Sequence, residues 1–158
     1  MAPYDRQFEI IQPADLNHVI RYPLPPASMA LINPEDPTSL IDGELVQINA
    51  EGKYIRATTA SQPSFLVFDE RGHPVVRTAK RLSAILGGAS FYCRTLVYDT
   101  ALTTIGAGVG LGTVNNSLTG SVNRAGFVAV ASNYRLGTIL RVASPANGNR
   151  LEVLVTGL

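Results

Sequence analysis

Apolar and polar residues alternate along most of the chain after residue 42, and a period of two is typical of half-buried β-strands. Short alternating runs are separated by turn residues, among them GELVQIN, KYIRATT, SFLVFDE and LGTILRVAS. No segment carries a convincing helical repeat, although RLSAILGG fits one helical turn as well as a strand. The pattern therefore predicts an all-β fold, either a small β-barrel or a jelly-roll-like sandwich.

Two hairpins are predicted within this pattern. The first joins GELVQIN to KYIRATT through a glycine turn at residues 50–52, and the second joins LGTILRVAS to RLEVLVTGL with Asn147-Gly148 at its tip. The run SFYCRTLVYDT, rich in aromatic and β-branched residues, predicts one long strand. The final run LEVLV is apolar on both faces, which predicts either a central strand or part of a subunit interface.

Proline and glycine divide the chain into two parts. Seven of the 10 prolines lie within the first 37 residues, whereas all 14 glycines lie at or after Gly43. Because proline removes amide donors and fixes φ, residues 1–41 are predicted to be an extended arm and residues 42–158 the folded domain. The arm is too apolar for a solvated linker, so it is expected to cover either its own domain or a neighbouring subunit. Its predicted partner-binding residues are Tyr22, Leu24, Pro25, Pro26, Met29, Leu31 and Ile32.

The glycine-rich run GAGVGLG does not predict a nucleotide site. Its glycines fall at every second position from Gly106 to Gly112, which does not match the G-x-G-x-x-G fingerprint of dinucleotide-binding loops. A phosphate loop ending in G-K-[ST] is also missing, because no lysine follows Lys80. In an extended segment these glycines share one face, where a bulky side chain or another backbone can approach closely. We therefore expect no cofactor, and an architectural role for the glycines.

Few residues are suited to catalysis. The single cysteine, Cys93, excludes an internal disulfide and a cysteine-based zinc site, and its strand-like surroundings predict burial. Only two histidines, His18 and His73, are present, and no recognised catalytic motif accompanies them. The acidic stretch NPEDPTSLIDGE either binds a divalent ion or, as we prefer, caps turns. We predict that the protein is not an enzyme and holds no metal.

The net charge and its distribution limit the classes of partner that we expect. A net charge of +1 argues against a dedicated nucleic-acid binder, and no apolar run has the length of a membrane span. Residues 100–151 nevertheless contain four arginines and no acidic residue. These arginines either form a solvated face or contact an acidic patch on a partner, and the predicted electrostatic contacts are Arg124, Arg135 and Arg141.

Residues 42–158 resemble the decoration, or cement, proteins of tailed-bacteriophage capsids. The resemblance is carried by GELVQINAEGKYIRATTA, LSAILGGASFYCRTLVYDT, LGTVNNSLTGSV and RLGTILRVASPANGNRLEVLVTGL. The matching positions are Gly43, Val46, Gly87, Gly88, Phe91, Thr95, Tyr98, Asp99, Gly108, Leu111, Thr113, Gly120, Gly137, Thr138, Ile139, Leu151, Glu152 and Val153.

The resemblance implies a structural virion protein, made in the host cytoplasm, that binds the outside of the mature phage head. It further implies a homotrimer whose partner is the major capsid protein and whose role is to stabilise the shell. Such a role needs buried area and strand addition rather than catalysis. Prolines in an arm limit its free conformations, and this reduces the entropy lost when the arm orders on its partner.

Two other classes of function are compatible with an all-β chain. One is a carbohydrate-binding or fibre-type domain on a virion surface, although the chain has no tryptophan and its 6 tyrosines are scattered. The other is a trimeric nucleotide pyrophosphatase of the dUTPase type, which the sequence LIDGE resembles only faintly. Binding to glycans and turnover of a nucleoside triphosphate distinguish these alternatives from a capsid role.

Overall fold

The computed structural model describes residues 8–12, 27, 38–58, 65–67, 84–85, 90–114, 116, 123–130 and 135–158. The strands in this part of the chain are β1 (Phe8–Gln12), β2 (Leu45–Ile48), β3 (Tyr54–Arg56), β4 (Phe65–Val67), β5 (Ala84–Ile85), β6 (Phe91–Thr95), β7 (Gly108–Val114), β8 (Arg124–Ala129), β9 (Gly137–Arg141) and β10 (Leu151–Val155). A short 3₁₀ helix, Pro145–Asn147, lies between β9 and β10, and none of the described residues is in an α-helix.

The strands form two antiparallel sheets. One sheet has six strands in the order β1-β6-β10-β9-β7-β8, and the other has four in the order β3-β2-β4-β5. The all-β prediction is therefore confirmed. Within the described residues the larger sheet ends at β1 and β8 without closing, so the barrel alternative is wrong and the sheets are open. The strand β5 also shows that RLSAILGG contains a strand at its centre rather than a helical turn.

Both predicted hairpins are confirmed. In the β2–β3 hairpin, Asn49 Oδ1 accepts hydrogen bonds from the amides of Glu51 and Lys53, both at 3.0 Å, and Gly52 adopts a φ of 74°. In the β9–β10 hairpin, Asn147 Oδ1 accepts from the Ser144 amide at 2.8 Å and Gly148 has a φ of 67°. Side-chain hydrogen bonds and left-handed glycines thus set both turns.

The strand predicted for SFYCRTLVYDT is shorter than expected. β6 ends at Thr95 because the Thr95 hydroxyl accepts a hydrogen bond from the Val97 amide at 3.0 Å, which turns the backbone away from the ladder. Tyr98 then forms an isolated parallel bridge with Phe127 of β8. Segment 97–99 consequently covers part of the outer edge of β8, with the Phe127 amide bonded to the Val97 carbonyl at 3.2 Å.

The hydrophobic core draws on strands of both sheets. Phe8, Phe91 and Phe127 from the six-stranded sheet and Leu45 and Leu66 from the four-stranded sheet belong to one buried cluster. β10 lies between β6 and β9, with Leu151, Val153 and Val155 fully buried, so the central-strand alternative for LEVLV is correct.

Part of the segment assigned to the arm lies against the domain. β1 pairs with β6, and Phe8 is fully buried. The Ala27 amide donates to the Tyr54 carbonyl at 2.8 Å on the outer edge of β3, and Ser39, Leu40 and Ile41 are buried. The predicted partner-binding residues of the arm lie outside the described residues, as do His18 and His73.

Candidate interaction surface

The glycines of β7 leave room for side chains from neighbouring strands. A Cβ atom at Gly112 would lie 2.6 Å from Val128 Cγ2, and one at Gly108 would lie 3.1 Å from Arg135 Nε. The prediction that the glycine face admits bulky side chains is confirmed at these two positions. Gly106, in contrast, lies in the preceding turn with a φ of 83° and contributes to the turn rather than to this face.

Arg135 lies across Gly108 and is held in place by two hydrogen bonds. Its Nε donates to the Gly137 carbonyl at 3.1 Å, and its Nη2 donates to the Thr138 hydroxyl at 2.6 Å. The residue is exposed, and within the described part of the chain no carboxylate pairs with its guanidinium. The sequence thus produces a cation that is ordered before any partner binds.

Exposed apolar side chains lie in β9 and next to β7 and β8, and one of them, Val130, flanks Gly108 together with Arg135. Among the described residues, the four large apolar side chains that are exposed include Ile105 (65%) in the turn before β7, Val130 (37%) directly after β8 and Leu140 (41%) in β9. We call Arg135, Thr138 and Arg141 together with these three side chains the β7–β9 surface. It combines positive charge with apolar area, and such a combination suits binding of an acidic protein partner.

Arg141 lies at the end of a row of alternating charges that crosses four strands. Glu9, Arg94, Glu152 and Arg141 occupy aligned positions on β1, β6, β10 and β9. The nitrogen–oxygen distances along the row are 3.5 Å, 3.5 Å and 4.0 Å. The Arg141 side chain is 51% exposed, so this long contact leaves about half of the side chain accessible.

Glu152 is the buried member of this row and is also held by a tyrosine. The Tyr92 hydroxyl donates to Glu152 Oε2 at 2.8 Å. Partial burial, the hydrogen bond to Glu152 and its negative charge together raise the pKa of Tyr92 above the ordinary tyrosine value, while Arg94 and Arg141 act in the opposite direction. The row therefore links four strands of the sheet, and Arg141 is its most exposed member.

Arg124 does not belong to this surface. Its side chain is 4% exposed, and its Nη1 contacts Glu44 Oε2 at 3.0 Å. Burial lowers the pKa of Arg124, and the neighbouring Glu44 carboxylate partly opposes that effect. Of the three arginines predicted to make electrostatic contacts, Arg135 and Arg141 are exposed, whereas Arg124 is paired inside the domain.

Glu44 and Asp42 belong to the acidic stretch for which metal binding and turn capping are the alternatives, and Glu44 is bonded to arginines inside the domain. Glu44 accepts hydrogen bonds from two arginines, and no group of metal-binding side chains is present among the described residues. Both carboxylates are buried. Glu35 and Asp36 lie outside the described residues.

A cleft of about 460 Å³ lies on another part of the domain, between segment 98–103 and the β9–β10 turn. Its lining is uncharged and consists of Tyr98, Thr100, Leu102, Thr103, Asn116, Val142, Ala143 and Asn149. The Tyr98 hydroxyl donates to the Asn149 carbonyl at 2.8 Å, and the Asn116 amide donates to the Leu96 carbonyl at 2.8 Å. The first bond joins two walls of the cleft, and the second, from the side-chain amide, holds Asn116 in its lining.

Cys93 has the buried position predicted for it. It is fully buried in the core on β6, where removal from water raises the pKa of its thiol and a backbone hydrogen bond at Val153 only partly compensates. In the regions that the structure describes, we find no helix long and apolar enough to span a membrane. Comparisons of the chain with protein-family models, with curated proteins and with solved structures found no match.

Proposed function

We propose that the protein is a structural virion subunit that decorates the outside of a tailed-phage head and stabilises the shell. In this proposal it acts as a homotrimer, its partner is the major capsid protein, and it needs no cofactor and catalyses no reaction. The proposal is supported by the resemblance of residues 42–158 to decoration proteins and by the all-β architecture.

The β7–β9 surface is the observation that carries the proposal. Arg135 is already ordered by Gly137 and Thr138, so a partner carboxylate binds it with little further loss of side-chain entropy. Arg141 adds a second accessible cation, and Ile105, Val130 and Leu140 supply apolar area that a partner can cover. A surface of this kind gains specificity and association rate from its charges and affinity from its apolar contacts.

We further propose that the two sheets pack as a jelly-roll-like sandwich with the remaining N-terminal residues as an extended arm. A core cluster shared by both sheets favours this arrangement. β1 and Ala27 contact their own domain. The proposed contacts with the shell or a neighbouring subunit are Tyr22, Leu24, Pro25, Pro26, Met29, Leu31 and Ile32.

Replacing both Arg135 and Arg141 by alanine tests the surface. We expect the affinity for purified expanded heads to fall about tenfold, equivalent to about 1.4 kcal/mol, and its dependence on salt to become weaker. A co-sedimentation assay at two salt concentrations measures both effects. Gly108→Ala is a second variant, because its Cβ would displace the Arg135 side chain without removing the charge, and we expect a smaller loss.

Lys53→Ala is the matched control, since Lys53 is a partly exposed cation on the β2–β3 hairpin, paired with Glu51 at 3.1 Å. We expect it to bind heads like the unchanged protein. Equal binding by the double arginine variant and the unchanged protein would remove the β7–β9 surface from the proposal.

The alternative function is a carbohydrate-binding or fibre-type domain on a virion surface, and the uncharged cleft is the observation that favours it. Hydroxyl and amide groups from Thr100, Thr103 and Asn149, beside apolar Leu102 and Val142, suit a neutral polyhydroxylated ligand. Binding on a glycan array that is lost in Asn149→Ala, with heads left unbound, would favour this alternative over the capsid role.

A further inference from the structure

Glu44 lies at the meeting point of both sheets and of the chain segment that leads into β2. Its carboxylate is fully buried and accepts hydrogen bonds from Arg56 Nε of β3 at 2.6 Å and from Arg124 Nη1 of β8 at 3.0 Å. The Ala125 amide of β8 adds a contact at 3.3 Å. One buried carboxylate thus joins a strand of the four-stranded sheet to the edge strand of the six-stranded sheet.

The same three side chains hold segment 38–41. Arg56 Nη2 donates to the Thr38 carbonyl at 2.9 Å, and Arg124 Nη1 donates to the Ser39 carbonyl at 2.8 Å. The Ile41 amide donates to Glu44 Oε2 at 2.9 Å. Three of the four residues of this segment are therefore bonded to the charged cluster through their backbones.

We propose that Glu44 is the positioning residue for segment 38–41, and that loss of its negative charge releases this segment while the six-stranded sheet stays folded. The inference concerns the isolated chain and does not rest on the proposed virion function. Glu44 pairs with both guanidinium groups, and Arg124 is almost fully buried, so removal of the carboxylate charge takes this pairing from a buried cation. Without that carboxylate the two guanidinium groups are no longer held where they donate to the Thr38 and Ser39 carbonyls.

The sheet itself has independent support. β6, β9 and β10 are joined by backbone ladders and by buried Phe91, Ile139 and Val153, none of which contacts Glu44 through a hydrogen bond. The expected consequence is local release of a segment rather than unfolding of the domain.

Hydrogen exchange measured by mass spectrometry on the full chain tests the proposal, with Glu44→Gln as the variant. We expect amide exchange in residues 38–41 to accelerate more than tenfold, and exchange in β6 and β10 to change less than twofold. Glu152→Gln is the matched control, because Glu152 is also a buried carboxylate held by arginines but has no contact with segment 38–41. We expect the control to leave exchange in residues 38–41 unchanged.

Arg56→Gln keeps the test decisive if Glu44→Gln does not fold. Arg56 is more exposed than Arg124, and its loss removes the bond to Thr38 while the Glu44–Arg124 pair remains. We expect exchange in residues 38–41 to rise at least threefold in this variant. Unchanged exchange there in a folded variant, or an equal rise throughout the domain, would overturn the proposal.

Discussion

Burial decides the chemistry of individual side chains in this protein, and Cys93 is the clearest case. The thiol is fully buried on β6, and its pKa is raised because the surrounding core disfavours the thiolate. An unfolded cysteine has a pKa of about 8.5, so the unfolded chain loses this proton at a lower pH than the folded chain does. The buried thiol therefore contributes fully to the free energy of unfolding below the pKa of the unfolded cysteine. This contribution is lost as the pH rises from that value toward the pKa of the folded state.

The raised pKa of Cys93 predicts how the free energy of unfolding depends on pH. Between pH 8 and pH 10 the free energy of unfolding should fall more steeply for the unchanged protein than for Cys93→Ala, with a difference in slope approaching 1.4 kcal/mol per pH unit. Urea unfolding at several pH values measures both slopes. The alanine variant loses about 1 kcal/mol at all pH values through its cavity, which leaves its slope unaffected. Identical slopes would contradict the burial argument.

The sequence predicted the burial of Cys93 but not the roles of Glu44 and Arg124. A cysteine between aromatic and β-branched residues indicates a strand, and the expectation of burial follows from that local pattern. Glu44 and Arg124 are 80 positions apart, so their ion pair depends on how the two sheets are placed together. The only local signal is the carboxylate of Glu44 directly before the apolar run LVQI.

At the scale of single elements, the β9–β10 hairpin shows how a short polar sequence sets a turn. Asn147 accepts from the Ser144 amide at 2.8 Å and donates to the Val142 carbonyl at 3.1 Å. Asn147→Ala removes both bonds from a buried side chain, and we expect the free energy of unfolding to fall by about 2 kcal/mol. Chemical denaturation measures the loss.

Asn149→Gly is the control for this turn. Asn149 has a φ of 58°, a backbone conformation that glycine adopts without strain, so we expect its replacement to change stability by less than about 0.5 kcal/mol. A loss in Asn147→Ala no greater than in Asn149→Gly would show that the Asn147 side chain does not stabilise the hairpin.

The strands themselves were predictable to different degrees. Both hairpins followed from glycine and asparagine at the turns, and β10 followed from its apolar faces. The end of β6 could not be predicted from the sequence, because the Val97 amide bonds to the Thr95 hydroxyl instead of to a neighbouring strand. β1 was not separated from the arm, because FEIIQ is short and its partner strand begins more than 75 positions later.

At the scale of the whole molecule, internal pairing determines which charges reach the surface. Four arginines occur in residues 100–151, but Arg124 and Arg150 are buried, which leaves Arg135 and Arg141 accessible. The sequence predicted the local excess of positive charge and not this division. Likewise, the exposure of Val130 and Leu140 depends on how the strands are arranged in the sheet, which alternation alone does not assign.

The protein content of virus particles, purified on a density gradient from a lysate that contains this chain, tests the central claim most directly. Quantitative mass spectrometry gives its copy number relative to the major shell protein. A decoration subunit should be present at about one copy per shell subunit, since it binds repeated positions over the whole head. Its absence from the particles, or a presence of only a few copies per particle, would contradict the proposed role.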